Sequence, residues 1–183
     1  MKTIFSQLIL KIMGWTIIDS VNYPKKCLVI FAPHTSNWDF VIGRCYAYVV
    51  GIKGKYLIKS ELFVSFLRYF FIKSGGIPVH RTSNNNLVDQ IVKMYNNSDH
   101  LILGLSPEGT RKRVEKWKTG FYHIASHANI PIVLLKLDYK KKEIGIFNQI
   151  IASGDIEKDM RFIQVQFSDV EAKYPDQYNP NIY

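Results

Sequence analysis

A histidine and a carboxylate five residues apart, His34 and Asp39, have the types and spacing for acid–base chemistry. An imidazole with an ordinary pKa of ~6.5 can take a proton near neutral pH, and a neighbouring carboxylate fixes the tautomer that leaves its other nitrogen free. Residues five apart do not share a helix face, so the pair meets only if His34 precedes a helix and Asp39 lies in its first turn. The spacing predicts His34 as a general base that Asp39 orients; an acidic residue that merely starts a helix is the alternative.

A second polar segment, Pro-Glu-Gly-Thr-Arg at 107–111, follows another apolar run. Its glycine, Gly109, allows an unusual backbone angle and a close approach of amides to a ligand. Arg111 adds a planar fork that suits phosphate or carboxylate, and Arg81 would supply a second guanidinium group. These residues favour a site for a phosphate monoester, with an ordinary turn and a solvated arginine as the alternative.

Other catalytic and metal patterns are weaker. His123 and His127 are four apart on a predicted helix, but the segment lacks the glutamate of the zinc hydrolase motif, so we expect ordinary histidines and no metal site. Ser36 lies in no Gly-x-Ser-x-Gly elbow. The Walker phosphate-binding loop is also absent, which argues against a nucleotide-hydrolysing enzyme.

Composition limits the class of protein. The 183 residues fit a single domain, 1–183. The net charge of +9 suggests an anionic partner, such as nucleic acid, anionic lipid or phosphorylated small molecules. No nucleic-acid-binding motif is present, so we expect no nucleic-acid partner. Cys27 and Cys45 lie in apolar runs, which indicates buried thiols in a reducing compartment and a cytoplasmic location.

The first 20 residues predict an amphipathic helix, because apolar residues recur at helical spacing between Ile4 and Met13. The apolar stretch is too short for a membrane span, and it lacks the features of a signal peptide. The helix could lie in a membrane interface or pack on the domain, and both alternatives stay open.

Apolar runs of strand length alternate with helical patterns along the rest of the chain. Strands are expected at 27–31, 56–58, 77–81, 100–105, 132–135 and, more weakly, 144–147, and helices at 38–50, 60–75, 84–97, 119–129 and from 155. This order predicts an α/β fold, a mostly parallel or mixed sheet with helices on both faces. The polar tail from Tyr174 is expected at the surface.

The carboxyl ends of parallel strands meet at one end of a sheet, where ligands of such folds bind. The predicted strands place His34, Arg81 and the 107–111 segment at such ends. Three segments that are distant in sequence are therefore expected at one crevice.

These motifs together resemble those of the lysophosphatidic acid acyltransferase family, the glycerolipid acyltransferases. The His-x-x-x-x-Asp block matches His34 to Asp39, and the Pro-Glu-Gly-Thr-Arg block matches 107–111 residue for residue. The segment 75–81, ending at Arg81, is similar to the second block, Lys118 with 119–121 to the Lys-x-Gly segment, and Pro131 with its apolar run to the fourth.

The resemblance implies a glycerolipid acyltransferase-like fold and an O-acyltransferase. It would move a fatty acyl group from an acyl thioester, acyl-CoA or acyl carrier protein, to a lysophospholipid hydroxyl, most simply 1-acylglycerol-3-phosphate, with no further cofactor. His34 and Asp39 would be catalytic. The acceptor would be bound by six residues: Arg81, Glu108, Gly109, Thr110, Arg111 and Lys118. The enzyme would lie peripherally on the inner face of the membrane; another lysolipid acceptor, or a non-catalytic lipid-binding module, is the alternative.

Overall fold

The computed structural model describes residues 2–60, 65–79 and 84–183, in which strands and helices alternate as the sequence predicts. The strands are β1 Thr16–Ile17, β2 Lys26–Ala32, β3 Lys55–Lys59, β4 Gly76–Val79, β5 Leu101–Leu105, β6 Ile132–Asp138 and β7 Glu143–Ile150. The helices are α1 Lys2–Ile12, α2 Asn37–Val49, α3 Ser65–Lys73, α4 Asn84–Asn96, α5 Gly120–Ala128 and α6 Ile156–Phe167, with a short 3-10 turn at Pro175–Gln177.

The described strands form one seven-stranded sheet in the order β1-β7-β6-β2-β5-β3-β4. The five strands from β6 to β4 run parallel, whereas β7 pairs antiparallel with β6, and β1 runs parallel to β7. The predicted α/β fold with a mixed sheet is thereby confirmed. Since β2 lies between β5 and β6, the carboxyl ends of these three strands meet at the same end of the sheet.

Helices cover both faces of the sheet, as the continuous apolar run of β2 predicts. Successive residues of a strand point to opposite faces, so Leu28 and Ile30 join a core with apolar residues of α4, α5 and α6. Cys27 and Val29 join a second core with residues of α1 and α2. Burial on both faces holds β2 rigidly, and with it the turn that follows.

The amino-terminal helix is shorter than the predicted 1–20. It ends at Ile12, because Gly14 adopts a φ of +75° and Trp15 turns into the core. The chain then forms β1, whose Thr16 and Ile17 pair with β7. A two-residue strand has too little periodicity to be seen in sequence. In the part of the chain that the structure describes, no helix has both the length and the apolar character to cross a membrane.

The carboxyl-terminal tail is not the surface segment that its polar composition predicts. Tyr178 and Ile182 are buried, and the Trp117 backbone N–H donates to the Ile182 carbonyl at 2.8 Å. An irregular segment buries single side chains without a period, so the sequence pattern does not show it. Two predicted elements extend beyond the described residues. These are the 60–75 helix, at residues 61–64, and the 77–81 strand, at its end with Arg81.

Candidate active site

The turn between β2 and α2 brings His34 and Asp39 together. β2 ends at Ala32, Ser36 caps α2, and the Ser36 hydroxyl accepts from the Trp38 backbone N–H at 3.2 Å. Asp39 therefore lies in the first helical turn, where its side chain faces back toward the histidine. The His34 Nδ1 atom lies 3.0 Å from Asp39 Oδ2.

Asp39 both contacts the His34 ring and stabilises the start of α2, whereas the sequence left these two roles as alternatives. Its Oδ2 accepts from the backbone N–H of Ser36 at 2.8 Å, which completes a capping box, and from the backbone N–H of Thr35 at 2.9 Å. Asp39 is only 2% exposed, and these donors with the helix dipole stabilise its negative charge. A carboxylate can only accept, so in the neutral form of His34 the proton is on Nδ1, and Nε2 has a free lone pair.

The His34 side chain is positioned for contact with a substrate. Its ring is 20% exposed and packs edge-on against Phe31, with 5.4 Å between ring centroids. No described residue hydrogen-bonds to Nε2 of His34. The free lone pair and the partial exposure give this nitrogen what a general base needs.

The loop after β5 brings Glu108 to the same place. Its Oε1 accepts from the His34 backbone N–H at 2.8 Å, although the two residues are 74 positions apart, and Glu108 is 2% exposed. Burial raises the pKa of the Glu108 carboxyl to about 8; the bond from His34 lowers it, and the charge of Asp39 raises it further. Glu108 thus anchors the histidine backbone from a neighbouring strand.

Arg111 joins the two loops from the solvent side. Its Nη1 donates to the Asn37 side-chain oxygen at the start of α2, and the arginine is exposed. Gly109 adopts a φ of +66°, which a residue with a side chain rarely takes, and the turn closes through a bond from its N–H to the Ser106 carbonyl at 3.1 Å. The loop is built so that Glu108 turns inward while Arg111 faces outward.

The two remaining predicted binding residues lie in or beside this loop. The Thr110 hydroxyl accepts from the Lys112 backbone N–H at 3.3 Å, and the Lys118 backbone N–H donates to the Pro107 carbonyl at 2.9 Å. A Cβ atom at Gly109 would lie 3.3 Å from the end of the Lys118 side chain. The structure therefore brings together all the predicted site residues that it describes.

Residues that sequence reasoning missed complete the surroundings. The Tyr139 hydroxyl donates to Asp39 Oδ1 at 2.6 Å, and the Tyr174 backbone N–H donates to the Thr35 hydroxyl at 3.2 Å. With its amide group turned to face acceptors, Gln177 donates to the backbone carbonyls of Thr35 and Arg111. Tyr139 directly follows β6, so the rule on carboxyl ends of parallel strands could have identified it; the tail carries no such signal.

No group of three or more His, Cys, Asp or Glu side chains is arranged to hold a metal ion in the described ranges. His123 and His127 lie on α5 with 6.3 Å between their ring centroids. The groups at the site are a histidine bonded to a carboxylate, a second buried carboxyl group and an exposed arginine. This arrangement can remove a proton from a bound hydroxyl and can attract an anion beside it.

The sequence profile of the family named Acyltransferase matches residues 16–135. No curated protein shows a significant match to the chain. Among solved structures, the fold resembles the crystal structure of the 1-acyl-sn-glycerophosphate (LPA) acyltransferase PlsC from Thermotoga maritima. The TM-score is 0.63 at 13% identity, over 94% of this chain and 80% of that chain.

At that identity the likeness to the solved structure shows the fold, whereas the family match rests on the sequence. The matched range covers more than half of the chain and contains both the His34–Asp39 turn and the Glu108–Arg111 loop. The chain therefore belongs to the Acyltransferase family and is an acyltransferase enzyme.

Proposed function

We propose that the enzyme transfers a fatty acyl group from an acyl thioester, acyl-CoA or acyl carrier protein, to the hydroxyl of a lysophospholipid. The acceptor we propose is 1-acylglycerol-3-phosphate, which is consistent with the name of the structural relative, a 1-acyl-sn-glycerophosphate acyltransferase. The observation that carries the proposal is the 3.0 Å contact of His34 Nδ1 with Asp39, beside a loop that presents Arg111.

The reaction needs one base and two bound substrates. His34 Nε2 takes the proton of the acceptor hydroxyl as its oxygen attacks the thioester carbonyl carbon, and Asp39 stabilises the imidazolium that forms. The tetrahedral intermediate collapses to an ester, the carbon–sulfur bond breaks, and the imidazolium returns its proton to the thiolate. Because the thioester is already activated, direct attack by a positioned hydroxyl suffices, with no acyl-enzyme, metal or further cofactor.

The acceptor phosphate is proposed to bind at the loop of Glu108, Gly109, Thr110 and Arg111, with Lys118 alongside. Arg111 is exposed and its guanidinium is already oriented by Asn37, which suits two parallel bonds to phosphate oxygens. Arg81 stays a predicted second phosphate ligand. A lysolipid acceptor without a phosphate monoester, the alternative, would leave Arg111 unused.

We predict that Arg111→Ala raises KM for 1-acylglycerol-3-phosphate by about 10–100-fold, since a hydrogen bond to a charged group contributes ~1.5–3 kcal/mol. The effect on a monoacylglycerol acceptor, which has no phosphate, should be less than about twofold. Initial rates of thiol release against acceptor concentration measure both values.

Lys112→Ala is the matched control, because Lys112 is an exposed cation beside Arg111 in the same loop. It should leave both KM values unchanged. An equal loss for the two acceptors in Arg111→Ala would contradict phosphate binding by this arginine and would favour the alternative acceptor class.

We also propose that the enzyme binds the cytoplasmic face of the membrane through α1. Leu10 of α1 packs in the core, whereas four apolar residues of the helix are more than half exposed: Ile4, Phe5, Leu8 and Ile12. Lys2 and Lys11 on the same helix and the net charge of +9 favour an anionic lipid surface. One face of α1 therefore packs on the domain, and we propose that its other face lies in the membrane interface.

Phe5→Asp should lower the fraction of protein that sediments with phosphatidylglycerol vesicles, with binding weakened about tenfold or more, because burial of a phenyl ring contributes ~1.5–3 kcal/mol. Val165→Asp is the matched control, since Val165 is exposed to a similar extent on α6. Equal sedimentation of the wild type and Phe5→Asp would remove α1 from the membrane contact.

The function itself is tested by incubating the full chain with long-chain acyl-CoA, or acyl carrier protein thioester, and 1-acylglycerol-3-phosphate in vesicles. Thiol release must equal the formation of the diacyl product. Vesicle binding without any ester, for every donor and lysolipid tried, would instead support the non-catalytic lipid-binding module.

A further inference from the structure

Asp39 has a hydrogen-bond partner that belongs to none of the motifs, the hydroxyl of Tyr139. This residue lies directly after β6, 100 positions from Asp39 along the chain, and its hydroxyl donates to Oδ1 at 2.6 Å. β2 and β6 are neighbours in the sheet. The tyrosine therefore reaches the His34–Asp39 pair from the β6 side of β2, whereas Glu108 reaches it from the loop after β5, on the opposite side.

The two carboxylate oxygens of Asp39 differ in the number of hydrogen bonds that they accept. Oδ2 accepts from His34 Nδ1 and from two backbone N–H groups, those of Thr35 and Ser36. Oδ1 accepts from Tyr139, and no other described residue donates to it. Since Asp39 is almost wholly buried, loss of this donor would leave half of the carboxylate without a partner.

The tyrosine is itself held firmly. Its ring packs edge-on against Trp15, with 5.0 Å between centroids and an interplanar angle of 87°, and its backbone N–H donates to the Glu171 carbonyl at 2.9 Å. Burial, and then the bond to Asp39, raise the pKa of Tyr139. The hydroxyl therefore keeps its proton at neutral pH and acts as a donor.

We propose that Tyr139 is a positioning residue for the reaction, which fixes the rotation of the Asp39 carboxylate and draws part of its charge toward Oδ1. The inference rests on the proposed role of His34 as the base. With Oδ1 bonded to Tyr139, Oδ2 stays in line with His34 Nδ1 and carries less negative charge. It therefore stabilises the imidazolium moderately. Without the hydroxyl, the carboxylate is held through Oδ2 alone, keeps more negative charge and attracts the imidazolium more strongly.

Other charged and titratable groups surround the pair. Glu108 faces His34 from the β5 loop, Lys142 lies 5.8 Å from the centroid of the Tyr139 ring, and Tyr174 contributes electrostatically from the carboxyl-terminal segment. Tyr139→Phe leaves all of these in place and keeps the ring that packs on Trp15. The substitution thus removes one donor and little else.

The test compares the full-length wild type with Tyr139→Phe. We expect kcat to fall about tenfold, with KM for both substrates within about twofold, and the acidic limb of the kcat profile to move to higher pH. Nuclear magnetic resonance of the histidine rings supplies a readout that needs no turnover. The titration midpoint of His34, assigned by its absence in His34→Ala, should move upward by roughly half a pH unit.

Tyr46→Phe is the matched control. Tyr46 also donates to a carboxylate, Asp19, on the α1–α2 side of the sheet, so its loss removes the same kind of bond away from His34. Both substitutions should lower Tm, since each removes a hydrogen bond to a carboxylate. Tyr46→Phe should nevertheless leave kcat and the His34 titration unchanged. In an Asp39→Asn background, Tyr139→Phe should change kcat by less than about twofold, because the tyrosine acts only through Asp39.

Unchanged kcat and an unchanged His34 titration in Tyr139→Phe would overturn the inference. If Tyr139→Phe does not fold, 3-fluorotyrosine at position 139, a stronger donor of nearly the same size, must move the midpoint downward; an unmoved or raised midpoint would overturn the inference equally. If the wild type itself transfers no acyl group, the proposed function fails, and the titration still decides whether Tyr139 acts on the His34–Asp39 pair.

Discussion

His34→Ala is expected to lower kcat for acyl transfer by about 10²–10⁴-fold, the range that a positioned general base contributes. The imidazole is the group whose Nε2 is free to take the hydroxyl proton, and no other described side chain at the site offers a neutral base. KM for both substrates should change little, because the ring is proposed to act on the proton and not to bind the phosphate. Thiol release at saturating donor and acceptor measures kcat.

Two variants make this result specific. His123→Ala removes an exposed histidine on α5 and should leave kcat unchanged. Asp39→Asn keeps the volume of the side chain but makes it a poorer acceptor for His34 Nδ1–H, so it should lose most of the same rate. Wild-type kcat in His34→Ala would exclude the histidine as the base.

The fold was predictable because β2, β5 and β6 are mostly apolar and are bounded by turn and cap residues. Ser36 or Asn37 could be identified as the cap of α2; Ser36 is the cap, and the carboxylate three residues later completes a capping box. That local chemistry also fixes His34 beside Asp39, so this part of the site needs only the order of one turn and one helix. The predicted meeting of His34 with the 107–111 loop needed only parallel strands in addition.

What the sequence did not show depends on contacts between distant segments. The bond from Tyr139 to Asp39 spans 100 positions, and the bond from His34 to Glu108 spans 74. Neither the residue types nor their spacing in the sequence predicts such a bond. The inward direction of the Glu108 carboxyl, which is buried and accepts from the His34 backbone N–H, was likewise not predicted, because it depends on the packing of the loop around Gly109, whose φ is positive. The predicted role of Glu108 in binding the acceptor stays a proposal.

Glu108→Ala is expected to reduce both stability and activity. It removes the acceptor of the His34 backbone N–H and leaves a cavity, and a polar group left unpaired in a buried place costs ~1–3 kcal/mol. In a domain of this length that lowers Tm by about 2–12 °C. We expect kcat to fall by about 100-fold as the histidine loses its anchor, since small misplacements of a catalytic group have effects of that size.

Glu108→Gln separates the hydrogen bond from the charge, because the amide oxygen can still accept from His34. In the folded wild type, the pKa of the Glu108 carboxyl is about 8, against an ordinary value of 4.5. Between these two pH values the folded protein therefore binds more protons than the unfolded one. The stability that protonated Glu108 provides is fully present below pH 4.5 and is lost as the pH rises through 8. Glutamine does not titrate and keeps it.

Thermal unfolding between pH 4.5 and 9 should therefore show a Tm advantage of Glu108→Gln over the wild type that grows with pH and levels off above about 8. We expect a difference of about 4 °C or more at the upper end, which corresponds to ~1–2 kcal/mol in a domain of this length. Glu115→Gln, at an exposed position after the same loop, is the matched control and should run parallel to the wild type. Parallel curves for Glu108→Gln as well would mean that burial does not perturb this carboxyl, and the anchoring of His34 would then rest on the Glu108→Ala result alone.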